Sequence, residues 1–359
     1  MKKNVLFIVV ILMLNGCKKN NPQKLIQPRT FNMGFTTNNL PYIESEEEGL
    51  IQSYDTIQKY GDIYLQEIES PIPWNVLVNN TNMPDYITDD VEHRISKQNG
   101  DKIVLALNLL NKSKTNLQTD FSGDIPFTSK ISDPIIEDAC YEYVKYLVYK
   151  FNPTYLVLSQ GSNELLLNNK SIWDDYKALL LGLNYRLKNQ FPELKISQSI
   201  SLHYWENPYV TDVAAHHAEI LGFINKFDFA AIEYYPVFND QHKRNDFQKS
   251  FDFLSKNINI PIAITKTAHI AENLGGSEIS DSESDEKEQN TYLKSLLVNA
   301  HNNKYEFVIW DVQQDYDQIW DSLPDWEKSN AKIYKDMGLK DESGTYRKAF
   351  KTWTETFEN

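Results

Sequence analysis

Long apolar runs, cysteine and positive charge are all scarce in this chain. The one extended apolar run, Val5 to Leu14, holds ten residues, too few to cross a bilayer as a helix. Two cysteines, Cys17 and Cys140, cannot build a disulfide framework. Seven histidines occur without HExxH or CxxC spacing, so no metal site is proposed. His216 and His217 are adjacent and would point about 100° apart on a helix, which prevents joint chelation. Lys and Arg total 36 against 50 Asp and Glu, a net charge of −14. That deficit argues against nucleic acid or anionic lipid headgroups as partners. No glycine-rich phosphate loop follows any strand-like run, and no cofactor is called for.

The amino terminus is organised as an export segment. Lys2 and Lys3 precede the apolar run, which ends in Leu14-Asn15-Gly16-Cys17. This order suits a signal-peptide core and resembles the lipobox of bacterial lipoproteins, although Asn15 departs from the small or apolar residue usual there. An ordinary cleaved signal with a chance cysteine is the alternative. The expected organisation is a signal peptide over 1–16, a lipidated Cys17 with a polar tether over 17–30, and a folded domain over 31–357. Lys18 after the cysteine favours the outer membrane of a Gram-negative bacterium. With Cys17 lipidated, Cys140 has no intramolecular partner and falls on an amphipathic stretch as a core thiol.

Eight apolar or β-branched runs alternate with helix-patterned stretches. The predicted strands are 31–37, 62–69, 102–110, 155–161, 195–203, 227–235, 260–266 and 305–311. Helical spacing marks 134–151, 173–191, 210–227, 247–256 and 286–301. Strict alternation implies a parallel sheet, and eight repeats imply an α/β fold closed as a single (β/α)₈ TIM barrel. A doubly wound open sheet is the runner-up. The acid-rich segment from Glu278 to Glu288 reads either as a solvated loop entering a helix or as a calcium loop.

Barrels carry function at the carboxyl ends of their strands. Trp74 and Asn75 follow strand two, Asn108 and Asn111 strand three, and Asn163 and Glu164 strand four. His203 to Glu206, with Trp205, follow strand five, and Glu233 to Pro236 strand six. Lys266 and His269 end strand seven, and Trp310 and Asp311 strand eight. Indole rings at a polar rim suit sugar C–H faces while amides and acids take the hydroxyls. Packing is the alternative for each tryptophan, and a rim ion pair is the alternative for Glu164.

With Asn163-Glu164, Pro73-Trp74, Tyr234-Tyr235-Pro236, Phe191-Pro192 and Trp310 in this order, the chain resembles the clan A glycoside hydrolases. It is most similar among them to the endo-β-1,4-galactanase family. The resemblance implies Glu164 as general acid/base, Asn163 on the sugar 2-hydroxyl, Trp310 as a subsite floor and Tyr235 against the nucleophile. Trp74 and Trp205 join the expected substrate-binding set. The family would read Ile-Thr-Glu-Thr on strand seven, whereas this chain reads Ile264-Thr265-Lys266-Thr267. A retaining mechanism needs a second carboxylate about 5 Å from the first, and an ammonium cannot supply one. A cation close to Glu164 would also lower its pKa, against the needs of a general acid.

Glu233 is a candidate substitute, either in an ion pair with Lys266 or as the displaced base of an inverting reaction. It could instead face the helix layer. A Glu164–Lys266 pair is the other arrangement, and Glu272 lies too far along the loop. The expectation is therefore a membrane-anchored barrel that engages polysaccharide, with β-galactan as the resemblance's choice, in a degenerate, non-retaining form. The alternatives are an active endo-acting hydrolase using Glu164 and Glu233, and a barrel with no sugar ligand.

Overall fold

In the computed structural model, residues 28–37, 46–123, 130–238, 246–272, 285–325, 328 and 332–359 are described. Cys17, the expected signal peptide, most of the tether and the acidic residues Glu278, Asp281 and Glu283 lie outside them. Nine parallel strands form a nearly closed barrel: β1 Asn32–Thr36, β2 Ile63–Ile68, β3 Lys102–Leu107, β4 Tyr155–Val157, β5 Lys195–Ser197, β6 Ser199–Ser201, β7 Ala230–Tyr234, β8 Ile262–Thr267 and β9 Phe307–Trp310. The order β5-β4-β3-β2-β1-β9-β8-β7-β6 brings the two ends of the sheet to β5 and β6. These are halves of the fifth predicted strand, interrupted at Gln198. Closure therefore runs through one residue of continuous chain. The predicted strands seven and eight are β8 and β9.

The helices between strands keep their predicted places. Helix Pro134–Phe151 starts where the Asp133 carboxylate accepts from the Ile135 N–H at 3.0 Å, with Pro134 in the first turn, a site that needs no donor. It ends at Asn152, whose φ of +44° is the left-handed conformation that stops a helix. Ile136, Ala139, Cys140, Tyr143, Val144 and Leu147 form its buried stripe. Burial pushes the Cys140 thiol up to about 12, so it is the inert core thiol expected.

The core has two shells. Ile63, Leu65, Val104, Ala106, Tyr155, Val157, Phe229, Ala231, Ala263, Phe307 and Ile309 fill the barrel interior. A larger shell packs the outer faces of the strands against the helices. Strand alternation extends the inner set towards the carboxyl end as Glu67, Asn108, Glu233 and Asp311. The β1–β2 contact is close enough that a Cβ on Gly34 would meet the Ile63 carbonyl oxygen at 1.9 Å, so only glycine fits there.

One irregularity decides what enters the barrel mouth. Ile232 pairs with Ile264, but the next residue, Glu233, pairs with Lys266. Thr265 is the extra residue of a β-bulge, and its Oγ1 donates to the Ile232 carbonyl at 3.1 Å. Alternation from the inward-facing Ala263 would have sent Lys266 to the helices. The bulge resets the parity, so Lys266 faces inward while Thr267 hydrogen-bonds Tyr292 in the helix layer.

Candidate active site at the barrel mouth

Lys266 is the centre of a buried charge cluster. Its Nζ lies 2.9 Å from Glu67 Oε2 and 3.6 Å from Asp311 Oδ1. The three side chains are 15, 3 and 6% exposed. Glu67 Oε1 accepts from Gln160 Nε2 at 2.6 Å and from Asn108 Nδ2 at 3.4 Å. Asp311 Oδ2 accepts from the Tyr235 hydroxyl at 2.7 Å.

Burial opposes the charge on all three groups, with different outcomes. It presses Glu67 upward, yet the Lys266 charge and hydrogen bond and the Gln160 amide hold its carboxyl below the ordinary value. Asp311 stays raised, because burial outweighs Lys266 and the Glu67 charge adds to it. Burial disfavours the ammonium too, but Asp311 and Glu67 keep the Lys266 pKa well above the usual lysine value. A lysine nucleophile needs the reverse shift, so amine chemistry is disfavoured at this position.

Glu164 stands apart from that cluster. Its helix, Ser162–Asn168, begins after Gly161 at φ +58°, and a Cβ on Gly161 would meet Glu164 Oε1 at 2.5 Å. Glycine is thus required for the carboxylate to fold back over its own turn. Glu164 Oε1 accepts from Ser201 Oγ at 2.6 Å. Its pKa is raised, by burial first and with a further push from the Glu233 charge, against Ser201 and Lys114. The expected depression by Lys266 is corrected: among the described residues Lys266 makes no ion pair with Glu164 or with Glu233, because Glu67 and Asp311 engage it. The direction of the Glu164 shift is the one a general acid requires.

Glu233 faces the interior rather than the helix layer. Its Oε1 accepts from the Gly161 N–H at 3.1 Å and from the Ser199 hydroxyl. Since the same glycine touches both acids, their carboxylate oxygens lie no more than about 8 Å apart. Tyr204 is near Glu164, and its hydroxyl pKa is raised by burial and by the Glu164 charge. His203 lies against Phe238 with ring centroids 5.0 Å apart.

Four expected substrate contacts are placed differently. Asn163 is 0% exposed, and its amide spans the Ser201 backbone. Nδ2 donates to the Ser201 carbonyl at 3.0 Å, and Oδ1 accepts from its N–H at 2.9 Å. A side chain so committed orients β6 instead of reaching a sugar hydroxyl. Trp74, Trp205 and Trp310 are 2, 0 and 0% exposed. Their indole N–H groups donate to the carbonyls of Gln118, His217 and Met337, at 2.8, 3.4 and 3.3 Å. The rim platform expected of them is corrected to core packing, the alternative that held for each. Tyr235 lies where it was sought, beside the end of β8, but its partner is Asp311.

Glu67 escaped the sequence reading, though it shares strand parity with Ile63 and Leu65, a signal that points it inward. Lys114 escaped because it lies in the loop after β3, and Gln160 because β4 ends at Val157, short of the predicted strand end at 161. A separate cavity of about 670 Å³ lies outside this cluster, between Leu166, Trp173, Val210, His216 and Glu219.

No family model matches the sequence, and no curated protein does. Solved structures do share the fold. The GH53 catalytic domain of Ignisphaera aggregans is 14% identical with a TM-score of 0.60, covering 92% of this chain and 98% of its own. The exo-β-1,4-mannosidase Op5Man5 from Opitutaceae bacterium strain TAV5 is 11% identical, with a TM-score of 0.63, and covers 91% of this chain and 59% of its own. Native xylanase 10B from Thermotoga maritima is 13% identical at 0.58, covering 92% and 95%. These neighbours are clan A glycoside hydrolases, and the likeness at this identity is one of fold: a glycoside-hydrolase-like TIM barrel.

Proposed function

We propose that this barrel engages a polysaccharide at its carboxyl-end mouth and does not carry out retaining double displacement. One observation carries the reading: Lys266, which the galactanase resemblance puts in the nucleophile's seat, is held between Glu67 and Asp311. A protonated ammonium in that seat forms no glycosyl-enzyme bond. β-Galactan is the favoured glycan on the resemblance, and the mannan- and xylan-active neighbours widen the set to be tried.

A second reading has its own support. Glu164 is shifted towards the protonated form, and Glu233 lies no more than about 8 Å from it, a bound that admits the separation of an inverting carboxylate pair. The two readings separate on one panel of β-galactan, β-mannan and xylan, with binding followed by affinity electrophoresis and turnover by reducing ends. The expected outcome is retardation by at least one glycan without new reducing ends. Hydrolysis that Glu164→Gln and Glu233→Gln each lower by about 100-fold or more would transfer the function to the acid pair. The absence of both retardation and new reducing ends with every glycan would sink both.

The lipoprotein organisation is part of the proposal and rests on Leu14 to Cys17. In a bacterial host, radiolabelled palmitate is expected to enter the wild type and not Cys17→Ser. Equal labelling of both would refute the anchor.

A further inference from the structure

We propose that Lys114 makes the mouth selective for a glycan bearing an anionic substituent, a uronate carboxylate or a sulfate. This rests on the polysaccharide reading above and names the class of glycan.

Lys114 belongs to a turn built to hold it. Its φ is +52°, in the left-handed region that non-glycine residues seldom occupy. Such a conformation persists where the surroundings over-determine it, and here they do. Asn111 Oδ1 accepts from the Thr115 and Asn116 N–H groups at 2.9 and 3.3 Å. From the other side, Asn168 Nδ2 donates to the Ser113 carbonyl at 3.0 Å and Asn169 Nδ2 to the Thr115 carbonyl at 2.9 Å. Asn168 ends the helix that carries Glu164 in its first turn, so the turn and the acid are fastened to one element.

The ammonium thus placed is satisfied only by neutral groups. Lys114 Nζ donates to the Gln160 carbonyl at 2.9 Å and to Asn108 Oδ1 at 3.4 Å. It carries three donors, so one remains. Among the described residues no carboxylate lies within ion-pair distance of it, in a chain where acids outnumber bases 50 to 36. Its charge nevertheless reaches both acids: it opposes the burial that raises Glu164 and adds a small part to the lowering of Glu67. Of the acids around the mouth, Glu67 and Asp311 are both engaged by Lys266, Glu69 is raised by the Glu67 charge and by burial, and Glu233 keeps an oxygen on Gly161 and Ser199. Glu164 is shifted towards its neutral form. Among the described residues, then, Lys114 is a cation beside the mouth that no carboxylate pairs with directly, and its third donor is open to an anionic group of the ligand.

The test compares the full chain's affinity for size-matched tetrasaccharides of neutral β-1,4-galactan, galacturonan and sulfated galactan at low and high salt. Wild type is expected to favour at least one anionic ligand by about tenfold or more at low salt, the scale of one charge-assisted hydrogen bond. High salt should shrink that preference. Lys114→Met should bring the anionic-to-neutral ratio close to one, and so should Lys114→Asn, which tolerates positive φ, whereas Lys114→Arg should keep it. Preference for galacturonan alone or sulfated galactan alone identifies the substituent. A wild-type ratio near one, or a ratio untouched by Lys114→Met, overturns this inference and leaves the polysaccharide reading standing. Failure of every glycan to bind, β-mannan and xylan included, removes that reading as well.

Discussion

Lys266→Met is expected to destabilise the fold by about 3–5 kcal/mol at neutral pH, because removing one partner of a buried ion pair strands the other charge. For a domain of this size that corresponds to a Tm fall of roughly 4–7 °C. The stranded groups are Glu67 and Asp311, 3 and 6% exposed. Their pKa directions set the pH dependence. Glu67 is depressed in the folded state, so its contribution is present above the unfolded carboxylate range and disappears as pH falls through the folded value. Asp311 is raised, and proton uptake there favours the folded state on acidification. The gap between wild type and variant should therefore narrow below about pH 4–5. Denaturant titration across pH measures this. Adding Glu67→Gln to Lys266→Met is expected to restore more than half of the loss. A loss under about 1 kcal/mol for the single variant would show a pair that behaves as though exposed.

Trp310→Ala is expected to be the other large change, at about 3–5 kcal/mol, the scale for deleting a buried indole. The ring is fully buried, donates to the Met337 carbonyl and lies 6.2 Å from the Tyr292 ring. If the variant instead melts like wild type and loses glycan affinity, Trp310 is a platform after all, and the packing described here is wrong at that residue.

The fate of the tryptophans shows where reading a sequence falls short. Position after a strand places a residue near the barrel mouth but does not say whether its ring turns outward or is roofed by a later loop. Met337, which accepts from Trp310, lies 27 residues further along the chain. Asn163 departs from its expected role for a similar reason. Its place before Glu164 was legible, but the Ser201 backbone that consumes its amide comes from a different strand. Parity settled more. Ile63 and Leu65 facing inward imply Glu67 inward, because alternate residues of β2 share a face.

The strand–helix beat, the closed barrel, the core role of Cys140 and the place of Glu164 after the fourth strand follow from the sequence alone. They depend on local spacing and on which residues prefer water. Tertiary structure alone decided which charges meet. The bulge at Thr265 turns Lys266 inward, Glu67 and Asp311 then capture it, and Glu164 is left with Glu233 and a raised pKa. Electrostatic energy in a poorly polarisable interior depends on separations of a few ångströms, and those are set by strands far apart in the chain.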